Sequence, residues 1–269
     1  EIIAADASHI LGSEGAGAAI FVGCFVRALS AARGIFTGDD VHAAVRPAKV
    51  KSPRTRLVEV EQTANRGGGS VWSLEEITSV VEAARSHGLL LHMDGARLMN
   101  AVVASGTPAA KFAGAFDSVW LDLSKGLGCP IGGVLAGSAA FIEEAMPWKH
   151  RLGGAMRQAG IIAAAGLYAL KNNVERLAED HENARLLAEH ISAIPGMALV
   201  HEKIETNMVF SDVVETGLTA TEISSRLLEK GVRIGAENAS RMRAVTHLDI
   251  SRENIEEAGA LLAAIVKDG

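Results

Sequence analysis

The stretch LLLHMDGARLMNAVVASGTPAAKFAGAFDSVWLDLSKGLG (89–128) decides the fold. Its apolar run at 89–93 predicts a buried strand, and a second short strand is predicted at 116–123. Between these strands, 101–104 and 109–115 have the composition of helices. A strand, a helical crossover and a further strand in this order predict a parallel sheet with right-handed connections.

The same alternation extends towards the start of the chain. Residues 56–62 carry a β-branched alternation that predicts a strand, and residues 73–86 repeat apolar positions at helical spacing. Ser73 followed by Glu76 is the pattern of a capping box, which fixes the start of this helix. A short strand runs directly into the loop that contains His9.

The second part of the chain has a different pattern. A long helical segment at 155–187, broken or bent near Asn172 and Asn173, leads into it. Further strands and helices are predicted at 198–200, 207–213, 221–230, 242–249 and 254–267. We therefore predict an α/β protein with a large domain over 1–175, whose mostly parallel sheet lies between helices, and a small α+β domain over 176–269.

The composition excludes several classes of function. With 269 residues, of which 48% are hydrophobic and 22% charged, the chain can bury a sizeable core. A net charge of −6, without a basic block interleaved with aromatics, favours no nucleic-acid partner. No uncharged apolar stretch reaches the roughly 18 residues of a membrane span. Two cysteines, Cys24 and Cys129, suggest neither a disulfide framework nor a zinc cluster, so we predict a cytoplasmic protein without a metal.

An acid and a lysine follow successive strands of the predicted sheet. Asp94 comes after the first and Lys125 after the second, so both are expected at the carboxyl edge, where α/β sheets bind ligands. A pyridoxal phosphate enzyme needs this pair, because a lysine amine forms the Schiff base and a carboxylate keeps the pyridine nitrogen protonated. Arg97 could clamp the cofactor or a substrate carboxylate.

Structural interpretations of these residues remain open at this point. An aspartate at a strand end is often a cap or turn residue, and a lysine in a glycine-rich turn is usually solvated. A nucleotide phosphate loop is the competing functional idea, but neither of its glycine signatures follows a strand. Gly67, Gly68 and Gly69 are expected to serve the backbone conformation of a loop, and Trp120 to be a core or subunit-contact residue.

Five strings in the sequence resemble the L-threonine aldolases, pyridoxal phosphate lyases of the aspartate aminotransferase fold type. The resemblance covers nearly the whole chain, and the order DGAR, SKGLG, GGxMRQ is specific. The strings are HMDGARLMNAVVASG (92–106), WLDLSKGLGCPIGGVLAGS (120–138), GGAMRQAGIIAAAGLYALKNNVERLAEDHENA (153–184), ETNMVF (205–210) and RAVTHLDIS (243–251).

The resemblance implies a role for each matched residue. Lys125 corresponds to the Schiff-base lysine, Asp94 to the partner of the pyridine nitrogen, and His9 to a histidine that stacks on the cofactor ring. The remaining matches are arginines. Arg97 and Arg243 correspond to residues near the cofactor hydroxyl and the substrate carboxylate, and Arg157 to a residue at the rim of the site.

The function implied is cleavage of L-threonine, L-allo-threonine and related L-3-hydroxy-α-amino acids to glycine and an aldehyde. Pyridoxal 5'-phosphate is then the cofactor, a small amino acid the substrate, and a homotetramer the expected assembly. His9 is expected to act as the base directly or, by preference, through a water molecule. Alternatives are another pyridoxal phosphate lyase or aminotransferase, or a catalytically impaired remnant.

Two departures from the family pattern bear on these expectations. Many members carry a histidine in an E-x-T-H-N string, where this chain reads Glu61-Gln62-Thr63-Ala64-Asn65, so the preference for a β-hydroxyl group is in question. The family also has an N-terminal arm and a Gly-Thr turn around the phosphate. Neither precedes Glu1, and we expect that these first elements are missing from this sequence.

Overall fold

The computed structural model describes residues 1–269, which divide into two compact units. The first unit is Glu1–Glu175 and the second is Arg176–Gly269. That the first unit binds the cofactor stays a prediction. No helix in either unit is long and apolar enough to cross a membrane.

The first unit is built on one six-stranded sheet. Its strands are β1 (Ile2–Ala5), β2 (Val26–Leu29), β3 (Leu57–Glu61), β4 (Leu90–Gly95), β5 (Ser118–Asp122) and β6 (Gly133–Gly137). They lie in the order β2-β1-β3-β4-β5-β6, and every neighbouring pair is parallel except β5 and β6. The predicted α/β fold with a mostly parallel sheet is confirmed.

Eight α-helices connect or follow these strands. The helix predicted at 73–86 is α4, and its capping box is present: the Ser73 hydroxyl accepts the Glu76 N–H at 3.1 Å, and the Glu76 carboxylate accepts the Ser73 N–H at 2.7 Å. The helices are α1 (His9–Gly12), α2 (Gly17–Val22), α3 (Gly38–Ala44), α4 (Leu74–Ser86), α5 (Leu98–Ser105), α6 (Ala109–Ala113), α7 (Ala139–Arg151) and α8 (Gly160–Asn172).

The two faces of the central strands differ in chemistry. Val58 and Val60 on β3, with Leu91 and Met93 on β4, belong to the hydrophobic core of the first unit. Because side chains alternate along a strand, the residues between them lie on the opposite face. That face carries four ionisable side chains: Glu59, Glu61, His92 and Asp94. The apolar side chains of β3 and β4 therefore lie on one face of the sheet, and their ionisable side chains lie on the other.

The second unit is an antiparallel sheet covered by helices, as the predicted α+β pattern requires. Its own core includes Leu187, Ile223, Met242 and Leu262. The strands lie in the order β7-β8-β10-β9. The elements of this unit are α9 (Leu177–Ser192), β7 (Ala198–Leu199), β8 (Met208–Asp212), α10 (Ala220–Glu229), β9 (Gly235–Ala236), β10 (Arg241–Val245) and α11 (Arg252–Lys267).

The structure corrects some element boundaries. The helical pattern at 155–187 forms two helices, α8 and α9, with the break after Asn172 that the paired asparagines suggested. Seven elements were not predicted: α1, α2, β2, α3, β6, α7 and β9. The strand β6 reads Gly-Val-Leu-Ala-Gly and is exposed throughout, so it offers no alternation of buried and exposed positions for a pattern to reveal.

The three glycines at 67–69 serve the backbone, as expected. Gly68 and Gly69 have φ values of 83° and 71°, a region that favours glycine. A Cβ atom on Gly67 would overlap the backbone carbonyl oxygen of Arg33. The loop therefore packs directly on the segment around Arg33, at a distance that only glycine permits.

Gly67→Ala is expected to destabilise the protein by about 1–3 kcal/mol, the usual cost of overpacking, because neither backbone segment can yield cheaply. Gly160→Ala is the matched control, since open space surrounds that position at the start of α8. Denaturant unfolding of both variants measures the difference. Equal stability of the two variants would show that the loop relaxes around the added methyl group.

Candidate active site

The predicted acid and lysine meet at the carboxyl edge of the sheet. Asp94 is the last residue but one of β4, and Lys125 lies three residues beyond the end of β5. Parallel pairing aligns the two strand ends, with Asp94 opposite Trp120. Both side chains line one cavity of about 270 Å³, together with His9, Glu14, Ala96 and Trp120.

The Lys125 amine has two close neighbours that sequence reasoning missed. Its Nζ lies 2.7 Å from Oδ2 of Asp122, at the end of β5, and 4.9 Å from the ring centroid of Trp120. The other Asp122 oxygen accepts the backbone N–H of Ser124 at 2.6 Å. Burial would raise the pKa of Asp122, but the hydrogen bonds from Lys125 and Ser124 hold that pKa below its usual range.

Trp120 therefore lines the cavity rather than serving only as a core or subunit-contact residue. The neighbouring strand allows this position, because a Cβ atom on Gly133 of β6 would overlap the Trp120 indole nitrogen. Since β6 itself was not predicted, nothing in the sequence pattern indicated the place of this ring.

His9 is held at both ring nitrogens. Its Nδ1 lies 2.8 Å from Oε2 of Glu61, which also accepts the His9 backbone N–H at 2.8 Å. Its Nε2 lies 2.8 Å from the side-chain nitrogen of Asn65, whose backbone N–H donates to Glu61 at 2.7 Å. The Glu61 hydrogen bond raises the pKa of His9, an effect that burial partly opposes.

Asp94 faces a charged environment. Burial, followed by the negative charge of Glu61, raises the pKa of its carboxyl group. The Ala96 N–H donates to Oδ1 at 3.0 Å and, with the charges of Lys125 and His9, opposes that rise. Asp94, His9 and Lys125 thus line one cavity, and the charges of His9 and Lys125 act on the Asp94 carboxyl group.

Arg97 lies just beyond this group, at the start of α5. Its backbone N–H donates to the Gln62 carbonyl at 3.1 Å, and the residue is buried. The positive charge of Arg97 lowers the pKa of His9, so the guanidinium belongs to the electrostatic environment of the site.

Comparison with known proteins shows the family to which the chain belongs. The sequence model of the beta-eliminating lyases matches residues 1–216. A low-specificity L-threonine aldolase of Arabidopsis thaliana is 39% identical over 259 residues, which are 95% of this chain and 72% of the relative. The low specificity L-threonine aldolase of Escherichia coli K12 is 39% identical over 261 residues, 97% of this chain and 75% of that protein.

This chain belongs to the beta-eliminating lyase family. The solved structure of a threonine aldolase from Leishmania major has the same fold, with a TM-score of 0.81 at 19% identity. That match covers 98% of this chain and 77% of the other. The expected resemblance to a pyridoxal phosphate enzyme fold is therefore confirmed.

The side chains of the cavity fit the cofactor of such a lyase. An amine, a carboxylate and an imidazole converge there from Lys125, Asp94 and His9, and these are the groups that would bind a pyridoxal ring covalently, at its nitrogen and on its face. A Cβ atom on Gly95 would overlap the Trp120 carbonyl oxygen, so the backbone beside Asp94 packs closely against β5.

Two arginines of the predicted beta-eliminating lyase site lie elsewhere in the chain. Arg157 is exposed in the segment between α7 and α8. Arg243 is on β10 of the second unit, with its guanidinium 5.8 Å from the ring centroid of Phe210 and its Nε 3.9 Å from Glu237. Their roles toward a substrate stay predictions.

Ala64, at the position of the histidine found in many family members, is buried. A Cβ atom on Gly34 would come within 2.7 Å of the Ala64 methyl group, so the backbone around Gly34 closes over this side chain. Alanine at position 64 therefore coincides with close packing of the Gly34 backbone on its methyl group.

Glu61→Gln is expected to lower the pKa of His9, because the variant removes both the hydrogen-bonded carboxylate and its charge. NMR titration of the histidine ring protons measures this change. His181 of the second unit, whose pKa burial lowers to about 4, provides the internal reference. An unchanged His9 titration would contradict the ion pair.

The stability difference between wild type and Glu61→Gln should also depend on pH. A raised histidine pKa stabilises the folded state below the unfolded pKa and loses that contribution as pH rises through the folded value. The wild-type advantage over Glu61→Gln from this pair should therefore be largest in mildly acidic solution and should shrink at higher pH.

Asp122→Asn is expected to accelerate covalent attachment of added pyridoxal phosphate at neutral pH. The amine of Lys125 must leave its ion pair before it can react, and the variant removes that partner. Stopped-flow absorbance measures the rate constant, with Asp117→Asn as control, since Asp117 pairs with Arg85 instead. A slower reaction in Asp122→Asn would show that Asp122 assists the amine.

Proposed function

We propose that this chain cleaves L-threonine, L-allo-threonine and related L-3-hydroxy-α-amino acids to glycine and an aldehyde, with pyridoxal 5'-phosphate as cofactor. The observation that supports this proposal is the convergence of Lys125, Asp94 and His9 in one cavity of a beta-eliminating lyase. The relatives from Arabidopsis thaliana and Escherichia coli K12, which match 95% and 97% of this chain, are named low-specificity L-threonine aldolases.

The residues of the cavity have distinct proposed roles. Lys125 would hold the cofactor aldehyde through its amine, and Asp94 would accept a hydrogen bond from the protonated pyridine nitrogen. The cofactor, when bound, supplies a ring that withdraws the electrons of the broken Cα–Cβ bond. His9 covers the ring, and Arg97 offers a cation to the cofactor hydroxyl or to the substrate carboxylate.

Removal of the β-hydroxyl proton needs a base. In the geometry of His9, Nδ1 faces Glu61 and Nε2 contacts Asn65, so a proton can reach the ring only where Asn65 now lies. This favours relay of the proton through a water molecule rather than direct contact between substrate and imidazole. The Glu61 hydrogen bond raises the pKa of His9, which makes the ring a stronger proton acceptor.

The assembly and the remaining residues complete the proposal. Arg157 and Arg243 are assigned to the rim of the site and to the substrate carboxylate, the roles that family resemblance implies. We also assign a homotetramer and a cytoplasmic location. Exposed large apolar side chains support subunit contacts; they include Ile20, Phe21, Ile161, Leu167 and Tyr168.

The test is a product assay with the full chain and added pyridoxal phosphate. L-Threonine and L-allo-threonine should give glycine and acetaldehyde, and Lys125→Ala should reduce the rate by more than about 10⁴-fold, as removal of a covalent nucleophile does in other enzymes. Lys111→Ala, an exposed lysine on α6, is the matched control.

Each other result has a distinct meaning. Keto-acid formation without glycine would indicate an aminotransferase. Borohydride reduction followed by peptide mass spectrometry locates the cofactor bond. A labelled lysine other than Lys125 would overturn the site, and absence of any label would favour the catalytically impaired remnant.

A further inference from the structure

Glu59 is buried without a hydrogen-bond partner. It lies on β3 between β1 and β4, in the middle of the sheet, and is 2% exposed. Neither of its carboxylate oxygens has a partner. An ionised carboxylate in such a place is costly, and a neutral carboxylic acid is much less so. The sequence motifs and the proposed mechanism give this residue no role.

Two further carboxyl groups lie beside it. Glu61 follows on the same face of β3, and Asp94 pairs with Glu61 across the parallel register to β4. One carboxylate oxygen from each of Glu59, Glu61 and Asp94 lies within 4.8 Å of the other two. Two buried carboxyl groups and one half-buried carboxyl group at this spacing repel one another when ionised, which favours retention of a proton by the group.

The hydrogen bonds decide which residue holds that proton. Glu61 accepts from the backbone N–H groups of His9 and Asn65 and faces the His9 ring, which favours its ionised form. Asp94 accepts from the Ala96 N–H and is coupled to Lys125. Glu59 has none of these stabilising contacts.

The electrostatics of the surrounding groups agree with this assignment. Burial, and then the charges of Glu61 and Asp94, raise the pKa of Glu59 well above its usual range. The register neighbour of Glu59 on β4 is His92, which lies 2.8 Å from the Ser118 hydroxyl and whose pKa burial lowers. The lowered pKa favours the uncharged imidazole of His92, which offers Glu59 no positive charge.

We propose that Glu59 is a positioning residue for Asp94: it remains a neutral acid and shares its proton with one Asp94 oxygen, directly or through one water molecule. A separation below 4.8 Å is within reach of a rotamer change or of a single bridging water. The other Asp94 oxygen is then oriented toward the pyridine nitrogen. This last step rests on the proposed function, whereas the protonation of Glu59 does not.

Two variants distinguish the titration of Glu59 from the hydrogen bond that it donates to Asp94. Glu59→Gln is neutral at every pH but keeps a donor of nearly the same shape. Glu59→Met has a similar length and no donor. The proposal requires that both variants remove the titration of Glu59, and that only Glu59→Met disturbs Asp94.

The first measurement uses the full chain without cofactor. In the infrared difference between wild type and Glu59→Gln at neutral pH, we expect a carbonyl band of a neutral carboxylic acid. Because the unfolded glutamate ionises near a pKa of about 4.3 while folded Glu59 keeps its proton, wild-type stability should fall as pH rises above that value. The ratio of the unfolding constants of wild type and Glu59→Gln should change by up to about tenfold per pH unit.

The second measurement adds pyridoxal phosphate and follows its absorbance and dissociation constant. Glu59→Gln should bind like wild type, and Glu59→Met should bind about tenfold more weakly, the effect of losing one hydrogen bond to a charged group. The pH at which the absorbance of the bound cofactor changes should shift in Glu59→Met only.

Several outcomes would overturn the proposal. Carboxylate bands alone in the infrared difference would show that Glu59 is ionised. Stabilisation of wild type but not Glu59→Gln by added Mg²⁺ or Ca²⁺ would show a cation site instead. Identical cofactor binding by Glu59→Met and wild type would remove the positioning role. If wild type binds no cofactor at Lys125, the proposed function fails, while the infrared and unfolding results still decide the state of Glu59.

Discussion

The parallel register of β3, β4 and β5 is the constraint on which the rest of the site depends. It fixes Glu61 opposite Asp94 and Asp94 opposite Trp120, so ionisable and aromatic side chains from three strands lie side by side. The same register directs the side chains of Val58 and Met93 toward the hydrophobic core. A slip of one residue would exchange the two faces, because the side-chain period is two, and would place the ionisable side chains where the hydrophobic core now lies.

Negative charge is the dominant feature of that face, and the surrounding structure distributes it. Glu61 is neutralised by His9 and by backbone N–H groups, and Asp122 by Lys125. Asp94 has one backbone donor, and burial together with the charge of Glu61 raises its pKa. Glu59 has no donor, and a proton is the simplest way for it to remain buried. The negative charge of each carboxyl group is thus offset in a different way, and these differences underlie the separate roles that we propose.

Lys125 is also paired with an opposite charge, that of Asp122. Its amine lies 2.7 Å from a carboxylate oxygen of buried Asp122 and 4.9 Å from the ring centroid of Trp120. Covalent chemistry at this amine requires release from that environment. The Trp120 ring depends in turn on Gly133 in the antiparallel strand β6, so an element without catalytic groups of its own shapes the cavity.

The sequence by itself determined the order of strands and helices around 89–128, the capping box of α4, and the placement of Asp94 and Lys125 at successive strand ends. These features are local, since they depend on alternation, capping residues and short connections. Only the tertiary structure decided the His9–Glu61 contact, which joins residues 52 positions apart, and the enclosure of Glu59. Such contacts follow from register and packing between segments that are distant in the chain, and no local pattern encodes which buried side chain is left without a partner.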